Sequence, residues 1–352
     1  MKRAKKQSPS SPAVDLMALA EYVERFSAKT VVLLGDFVAD AFQIGDITRV
    51  SREAPVLILK HRETQIVPGG GANAANNFAS LGAKVIPITA VGEDEVGDRL
   101  RDFFRAQRVD LSGIFRVKGW TTPTKTRFLA GWAHKVGQQV LRVDYEPAQA
   151  LPPEVHKKIY AKVAHSLKKA DALAVSDYGF GVASPEEVAK LLSRGKRRAI
   201  ATLDSRYQLD RYAHAGLHSA TPNEGEMESL HHATIGKNIA ELERCGRATL
   251  TDMKLESLVI TRGRDGMALF QPGQQTAHIS VYGSDQAVDV TGAGDTVLAA
   301  FTLGLASGAS PLEAAHIANI AGGLVVMKRG TATVSRAELL EAIADSASGD
   351  NS

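Results

Sequence analysis

Residues 289–295 read Asp-Val-Thr-Gly-Ala-Gly-Asp, and a long apolar stretch, TVLAAFTLGLASG, follows at once. Glycines at a helix entry let the backbone turn tightly and leave the first-turn N–H groups without intrahelical acceptors. With the helix dipole, those groups make a site for an anion such as a phosphate. Gly292, Ala293 and Gly294 are therefore expected to cradle a transferring phosphoryl group. Asp295 then stands where an attacking hydroxyl would meet that group in line, which makes it the candidate base. A carboxylate beside a helix N-terminus is held ionised, so a weak base is expected. Phosphoryl transfer tolerates one, because its catalysis is mostly positioning and charge stabilisation. The same string also reads as an ordinary glycine-rich helix entry with an acid in its first turn. It is neither GxxxxGK(S/T) nor GxGxxG, so P-loop and dinucleotide-binding readings have no support.

Elements elsewhere must carry partners to this helix. The run VVLLG (31–35) reads as a buried strand, 72–82 as a helix closed by Gly82, 84–92 as a strand and 95–107 as a helix. Beyond residue 152, strands at 171–176, 198–204 and 257–263 alternate with helices at 153–169, 184–194, 223–231 and 236–252. A hairpin-like GMALF…TAHISV follows, then helices at 293–307, 311–327 and 335–345. Such alternation predicts an α/β fold, a doubly wound and mostly parallel sheet flanked by helices. Two extended stretches, about 40–68 and 114–144, interrupt it, the second holding strand candidates IFRV, TKTRFLA and QQVLRVD. They are expected to pair into a small separate sheet. The organisation expected is one domain over 14–346, between a disordered basic tail (1–13) and a short tail (347–352).

Composition narrows the classes. The net charge of +3 is more than supplied by Lys2, Arg3, Lys5 and Lys6 in the acid-free leader, and the remainder is slightly acidic. Nucleic acid is therefore not an expected partner. The leader has no apolar segment behind it, and no run approaches the ~18 apolar residues of a membrane span, so a cytoplasmic protein without a membrane partner is expected. The single cysteine, Cys245, excludes an internal disulfide and a cysteine-based zinc site.

The string DVTGAGD before a long apolar helix, with PGGGAN (68–73) far upstream, resembles the two signatures of the PfkB/ribokinase family. The resemblance covers roughly residues 30–342 and takes in Gly35-Asp36, VGEDEVG (91–97), Asn223-Glu224-Gly225-Glu226 and Thr261-Arg262-Gly263. It implies a ribokinase-like fold in which the inserts form a lid over a sugar and a homodimer interface, with ATP and Mg2+ as cofactors and K+ as a further candidate. Asp36, Asp40 and Asn73, with the Gly69-Gly70 turn, would hold sugar hydroxyls. Asn223 and Glu226 would serve the nucleotide, Glu226 ordering Mg2+ through water, though Asn223 and Glu226 also have the spacing of a helix capping box. Thr261, Gly263, Asn319 and Arg206 would lie beside the nucleotide, and backbone groups of Asp289 and Thr291 would ring a monovalent cation.

Within that family the chain is most similar to heptose 7-phosphate kinases, through IGDITRVSREAPV (44–56), TPTKTR (122–127), QQVLRVDYE (138–146), SDYG (176–179) and KRGTATVS (328–335). Arg49, Lys125, Arg127 and Arg142 concentrate positive charge in the inserts, as a lid closing on a sugar phosphate requires. Each also reads as a solvated strand-face charge. The chain departs from those relatives at Phe180, where they carry a Lys, at Arg206 in a later Asp-Pro-Lys element, and at Arg52 in place of a Pro. No His-x-Gly-His motif of the bifunctional relatives occurs, so the kinase step alone is expected. Two other readings stay open: a kinase for another sugar, sugar phosphate or nucleoside, and a non-catalytic sugar-binding relative.

Overall fold

The computed structural model describes residues 14–131, 138–194, 199–283 and 286–349. The basic leader (1–13) and the last three residues, on which tails were expected, lie outside these. In chain order the elements are α1 (Leu16–Glu24), β1 (Thr30–Gly35), β2 (Phe37–Val50), β3 (Leu57–Gly70), α2 (Gly71–Ser80), β4 (Lys84–Gly92), α3 (Glu95–Ala106), β5 (Ile114–Val117), β6 (Thr124–Gly131) and β7 (Gln138–Tyr145). There follow α4 (Pro153–Ser166), β8 (Ala172–Asp177), α5 (Pro185–Arg194), β9 (Ile200–Ser205), β10 (Ser219–Ala220), α6 (Glu224–His231), α7 (Ile239–Asp252) and β11 (Ser257–Thr261). The chain closes with β12 (Met267–Phe270), β13 (Ala277–Ile279), α8 (Ala293–Ala306), α9 (Pro311–Val325) and α10 (Arg336–Gly349).

Nine strands form one sheet in the order β13-β12-β11-β10-β9-β8-β1-β4-β5. All pairings from β11 to β5 are parallel, and β12 and β13 add an antiparallel edge. β1 shows why its sequence is an unbroken apolar run. Val31 and Leu33 pack with Leu19, Phe78, Phe301 and Ile317 on one face, Val32 and Leu34 with Ile159, Val163, Val188 and Leu242 on the other. A parallel strand covered by helices on both sides needs apolar residues at every position. Cys245 is buried in the second of these cores.

The smaller sheet has the order β3-β2-β6-β7 and rises directly from the end of β1. Its strands span 37–70 and 124–145, which corrects the expected inserts. IFRV (114–117) is not part of it: β5 pairs in parallel with β4, with Ile114 and Val117 buried as the last strand of the large sheet. A four-residue apolar run reads alike in either place, and only its partner decides. At the other end, α10 runs to Gly349 and overruns the tail boundary expected at 347. Among the described residues, no helix is long and apolar enough to cross a membrane.

From β1 the chain moves to β4 on one side and later returns to β8 on the other. Ligands of doubly wound sheets bind at such a switch point, beyond the carboxyl ends of the strands. Those ends carry Asp36 and, on β8, Asp177-Tyr178.

Candidate active site

The turn into α8 is built by side chains as much as by glycines. Asp289 accepts the N–H of Thr291 through Oδ1 (2.9 Å) and that of Gly330 through Oδ2 (3.0 Å). Gly292 then caps the helix at φ +79°, a left-handed conformation that costs other L-residues about 1–2 kcal/mol. A Cβ there would lie 2.4 Å from Asn73 Nδ2, so glycine is required on both counts. The N–H of Ala293 bonds the Val290 carbonyl at 3.3 Å. Among the described residues, the N–H groups of Gly292, Gly294 and Asp295 have no such acceptor. The expected trio is thereby corrected: Ala293 completes the turn, and the amide of Asp295 joins the two glycines.

Asp295 is 4% exposed. Asn73 Nδ2 donates to its Oδ2 at 2.8 Å, and the Tyr178 hydroxyl donates to its Oδ1 at 3.3 Å. Burial pushes the carboxyl up to about 7; the Asn73 and Tyr178 hydrogen bonds oppose this, the charge of Asp40 adds to it, and Lys125 opposes it again. The expectation of a weak base held ionised by the helix dipole is overturned, because desolvation outweighs the dipole at this depth. A carboxylate of this proton affinity is suited to general-base work near neutral pH.

Asp295 opens onto a cavity of about 270 Å3. From the lid, Asp40, Lys125 and Arg127 line it, with Arg127 paired to the buried Asp40. Lys125 Nζ stands 5.2 Å from the centre of the Tyr178 ring, and burial, then the charge of Arg206, holds its ammonium below the usual lysine range. From the large sheet come Asp204, Arg206, Thr221, Asn223, Glu226 and Thr261, and Gly70, Thr291, Gly292 and Gly294 complete the wall. Asn223 and Glu226 do form the capping box of α6, each side chain accepting the other's N–H at 2.9 Å, while both still face the cavity. Burial, then the charges of Glu226 and Asp295, push Asp204 well above the usual carboxylate range, and burial also raises Glu226. The Thr221 hydroxyl is buried here without a hydrogen-bond partner.

Several expected residues stand elsewhere. Asp36 does not line the cavity: its carboxylate is spent on the N–H groups of Tyr178, Phe180 and Val182. Burial first, and then the charge of Asp177, raise it to about 6, against those three bonds. Asn73 lies beneath Asp295 with its amide committed to it. Gly69 makes room for Asp40, whose Oδ2 would meet a Cβ there at 2.5 Å. Arg49 is exposed nine residues beyond Asp40 on β2, ~30 Å along the strand. Arg142 pairs with Asp144 and faces a neighbouring recess of about 470 Å3, which also shares Lys125, Tyr178 and Arg206 with the cavity. Asn319 donates to the Ser280 carbonyl at 2.8 Å, and Gly263, at φ +52°, is also outside the cavity wall. The residues that sequence reasoning missed are Tyr178, Asp204 and Thr221. Their signal was position, since each ends or follows a strand of the parallel sheet.

The family model described as pfkB family carbohydrate kinase matches residues 29–338. The chain belongs to this family. Its relatives include proteins named bifunctional protein HldE. That of Trichlorobacter lovleyi is 34% identical over 330 residues, 94% of this chain and 66% of the relative. The Koribacter versatilis protein is 36% identical over 317 residues, 90% of this chain and 63% of the relative. The chain thus spans about two thirds of the length of these relatives. Among solved structures, Arabidopsis thaliana ribokinase complexed with ribose and ATP superposes with a TM-score of 0.70 at 19% identity, covering 90% of this chain and 98% of that one. Escherichia coli phosphofructokinase-2 in complex with potassium gives 0.71 at 18%, with the same coverage. These likenesses show the ribokinase-like fold.

Proposed function

We propose that the chain transfers the γ-phosphoryl group of ATP to the anomeric hydroxyl of D-glycero-D-manno-heptose 7-phosphate, giving the 1,7-bisphosphate and ADP. The observation that carries the transfer is Asp295, buried, near neutral in proton affinity and beside unpaired amides. Its carboxylate takes the proton of O1 as the O1–P bond forms and the bond from phosphorus to the ADP oxygen breaks. The Gly292, Gly294 and Asp295 N–H groups meet the charge on the transferring oxygens. Lys125, Arg127 and Arg206 bring three cations to a cavity of sugar-phosphate size. With Arg142 in the adjoining recess, they favour an acceptor that already bears a phosphate. Asp40 and Arg127 supply donors and acceptors for sugar hydroxyls.

Asp204 and Glu226 fit a divalent cation: the two carboxylates share one wall, burial raises the proton affinity of both, and the nearby charge of Arg206 only partly offsets it. Mg2+ commonly binds through one or two carboxylates together with substrate phosphates. When bound, the ion supplies neutralisation of phosphate charge. For K+, only backbone carbonyls near Asp289 and Thr291 remain, since the Asp289 carboxylate is occupied. The need for ATP favours a cytoplasmic location. Val50, Leu57, Val140, Leu141 and Tyr145 are exposed on the lid sheet, and Val56 in the connection between β2 and β3. A second copy of the chain covering them makes a lid-to-lid homodimer. Sedimentation showing only monomer across the micromolar range would remove this part of the proposal.

Phosphorus NMR of the product tests the chemistry. A new phosphate signal coupled to the anomeric proton is expected with heptose 7-phosphate, and a new phosphate on any other oxygen overturns the assignment.

A further inference from the structure

We propose that Tyr178, clamped by Asp36, is the positioning residue that fixes the carboxylate of Asp295 for proton transfer. The inference rests on the reading of Asp295 as base.

Asp36, directly after β1 and 1% exposed, gathers three backbone N–H groups from one loop: Tyr178 at 2.8 Å, Phe180 at 3.1 Å and Val182 at 3.0 Å. Asp177 pins the same loop from the other side. Its Oδ1 accepts the N–H of Gly179 at 2.9 Å, and its Oδ2 accepts the hydroxyls of Ser205 (3.1 Å) and Tyr212 (3.0 Å). Asp36 thus spends its hydrogen-bonding capacity on a five-residue loop that contains no cavity-lining carboxylate, and Asp177 adds one bond to that loop while tying its own base to Ser205 and Tyr212. What the loop does place in the cavity is the Tyr178 side chain. Its ring is confined by Gly70, where a Cβ would come within 3.2 Å of two ring atoms, and by Lys125 above its face. Its hydroxyl ends on Asp295 Oδ1 at 3.3 Å.

With Asn73 on Oδ2, each oxygen of Asp295 has one donor from a different element, so the plane of the carboxylate is set. Each oxygen keeps lone-pair capacity for an acceptor proton. The Tyr178 bond is the longer of the two, as catalytic hydrogen bonds often are before substrate binds. Removing it frees the carboxylate to rotate about its remaining tie to Asn73. The groups that face Asp295 are Asn73 from α2, Tyr178 from the loop after β8, Asp40 and Lys125 from the lid and Asp204 from the end of β9.

The test is Tyr178→Phe, which keeps the ring and its packing. With heptose 7-phosphate as acceptor, kcat should fall about tenfold to a hundredfold, the range expected for a lost hydrogen bond to a charged group. The KM values for ATP and acceptor should stay within about twofold. The acid limb of the pH profile should move to higher pH, because a donor to the ionised carboxylate is gone. Asp36→Asn, which places an amide N–H2 among three N–H donors and loosens the loop, should reproduce the kcat loss. Wild-type kcat and pH profile in Tyr178→Phe would overturn the proposal, as would a loss confined to acceptor KM, which would make Tyr178 a substrate contact. If Asp295→Asn is inactive while Tyr178→Phe is normal, the base survives and this inference fails. If Asp295→Asn is active, the reading beneath it fails.

Discussion

Replacing Asp295 with Asn should abolish turnover and stabilise the protein, by an amount that depends on pH. The carboxyl is raised from 3.8 to about 7 in the folded protein. At ~1.4 kcal/mol per pH unit, the buried charge therefore costs the native state about 4 kcal/mol once ionised in both states. The sign follows from proton binding. Below pH 4 both states are protonated and the cost is absent; it grows as pH rises through the unfolded value, and is complete above about 7. Asn carries no charge, but its single carbonyl oxygen cannot accept from both Asn73 and Tyr178. That loss returns about 1 kcal/mol. The variant should therefore exceed wild type by about 2–3 kcal/mol at pH 8. At pH 5 only about one pH unit of the cost has accrued, so the gap should narrow by about 2–3 kcal/mol. Asp36, also raised, is present in both proteins and drops out of the difference. Urea unfolding followed by circular dichroism at the two pH values reads the gap directly. A gap that is flat with pH, or a variant less stable at pH 8 than wild type, would refute a desolvated base at this position.

Two substitutions probe the walls of the site. Gly292→Ala should cost roughly 1–2 kcal/mol of stability from the left-handed backbone alone. Its Cβ would also displace the Asn73 amide from Asp295, so kcat should fall at least about tenfold; wild-type kcat would show that this contact is dispensable. Lys125→Met should raise the acceptor KM by about tenfold or more while leaving the ATP KM unchanged. A rise in the ATP KM instead would move Lys125 to the nucleotide side.

The sequence made the phosphoryl end of the site legible because its logic is local. Gly292, Gly294 and Asp295 belong to one turn at the start of one helix, and that turn is written in consecutive residues. The same holds for the Asn223–Glu226 capping box and for the apolar run of β1. What tertiary packing decides was not legible. Asp36 and Asp40 are both acids on the strand end that leaves β1. Only the loop at 178–182, closing over the first of them, makes one a staple and the other a cavity residue. Asn73 carries a family signature, yet its amide faces Asp295 because α2 packs against α8. Arg49, Arg127 and Arg142 are alike as strand-face cations, and the register of β2 with β6 alone brings Arg127 to Asp40. The near-neutral proton affinity of Asp295 arises from burial, which no spacing of charges along the chain encodes.

The most direct test of the account is ADP release measured by a coupled assay against heptose 7-phosphate, fructose 6-phosphate, ribose, fructose and adenosine, for wild type and Asp295→Asn. Turnover is expected with heptose 7-phosphate, none of comparable rate with the other four, and loss of that turnover in the variant with ATP binding retained. Silence with every acceptor while ATP still binds, or activity that survives the loss of Asp295, would contradict it.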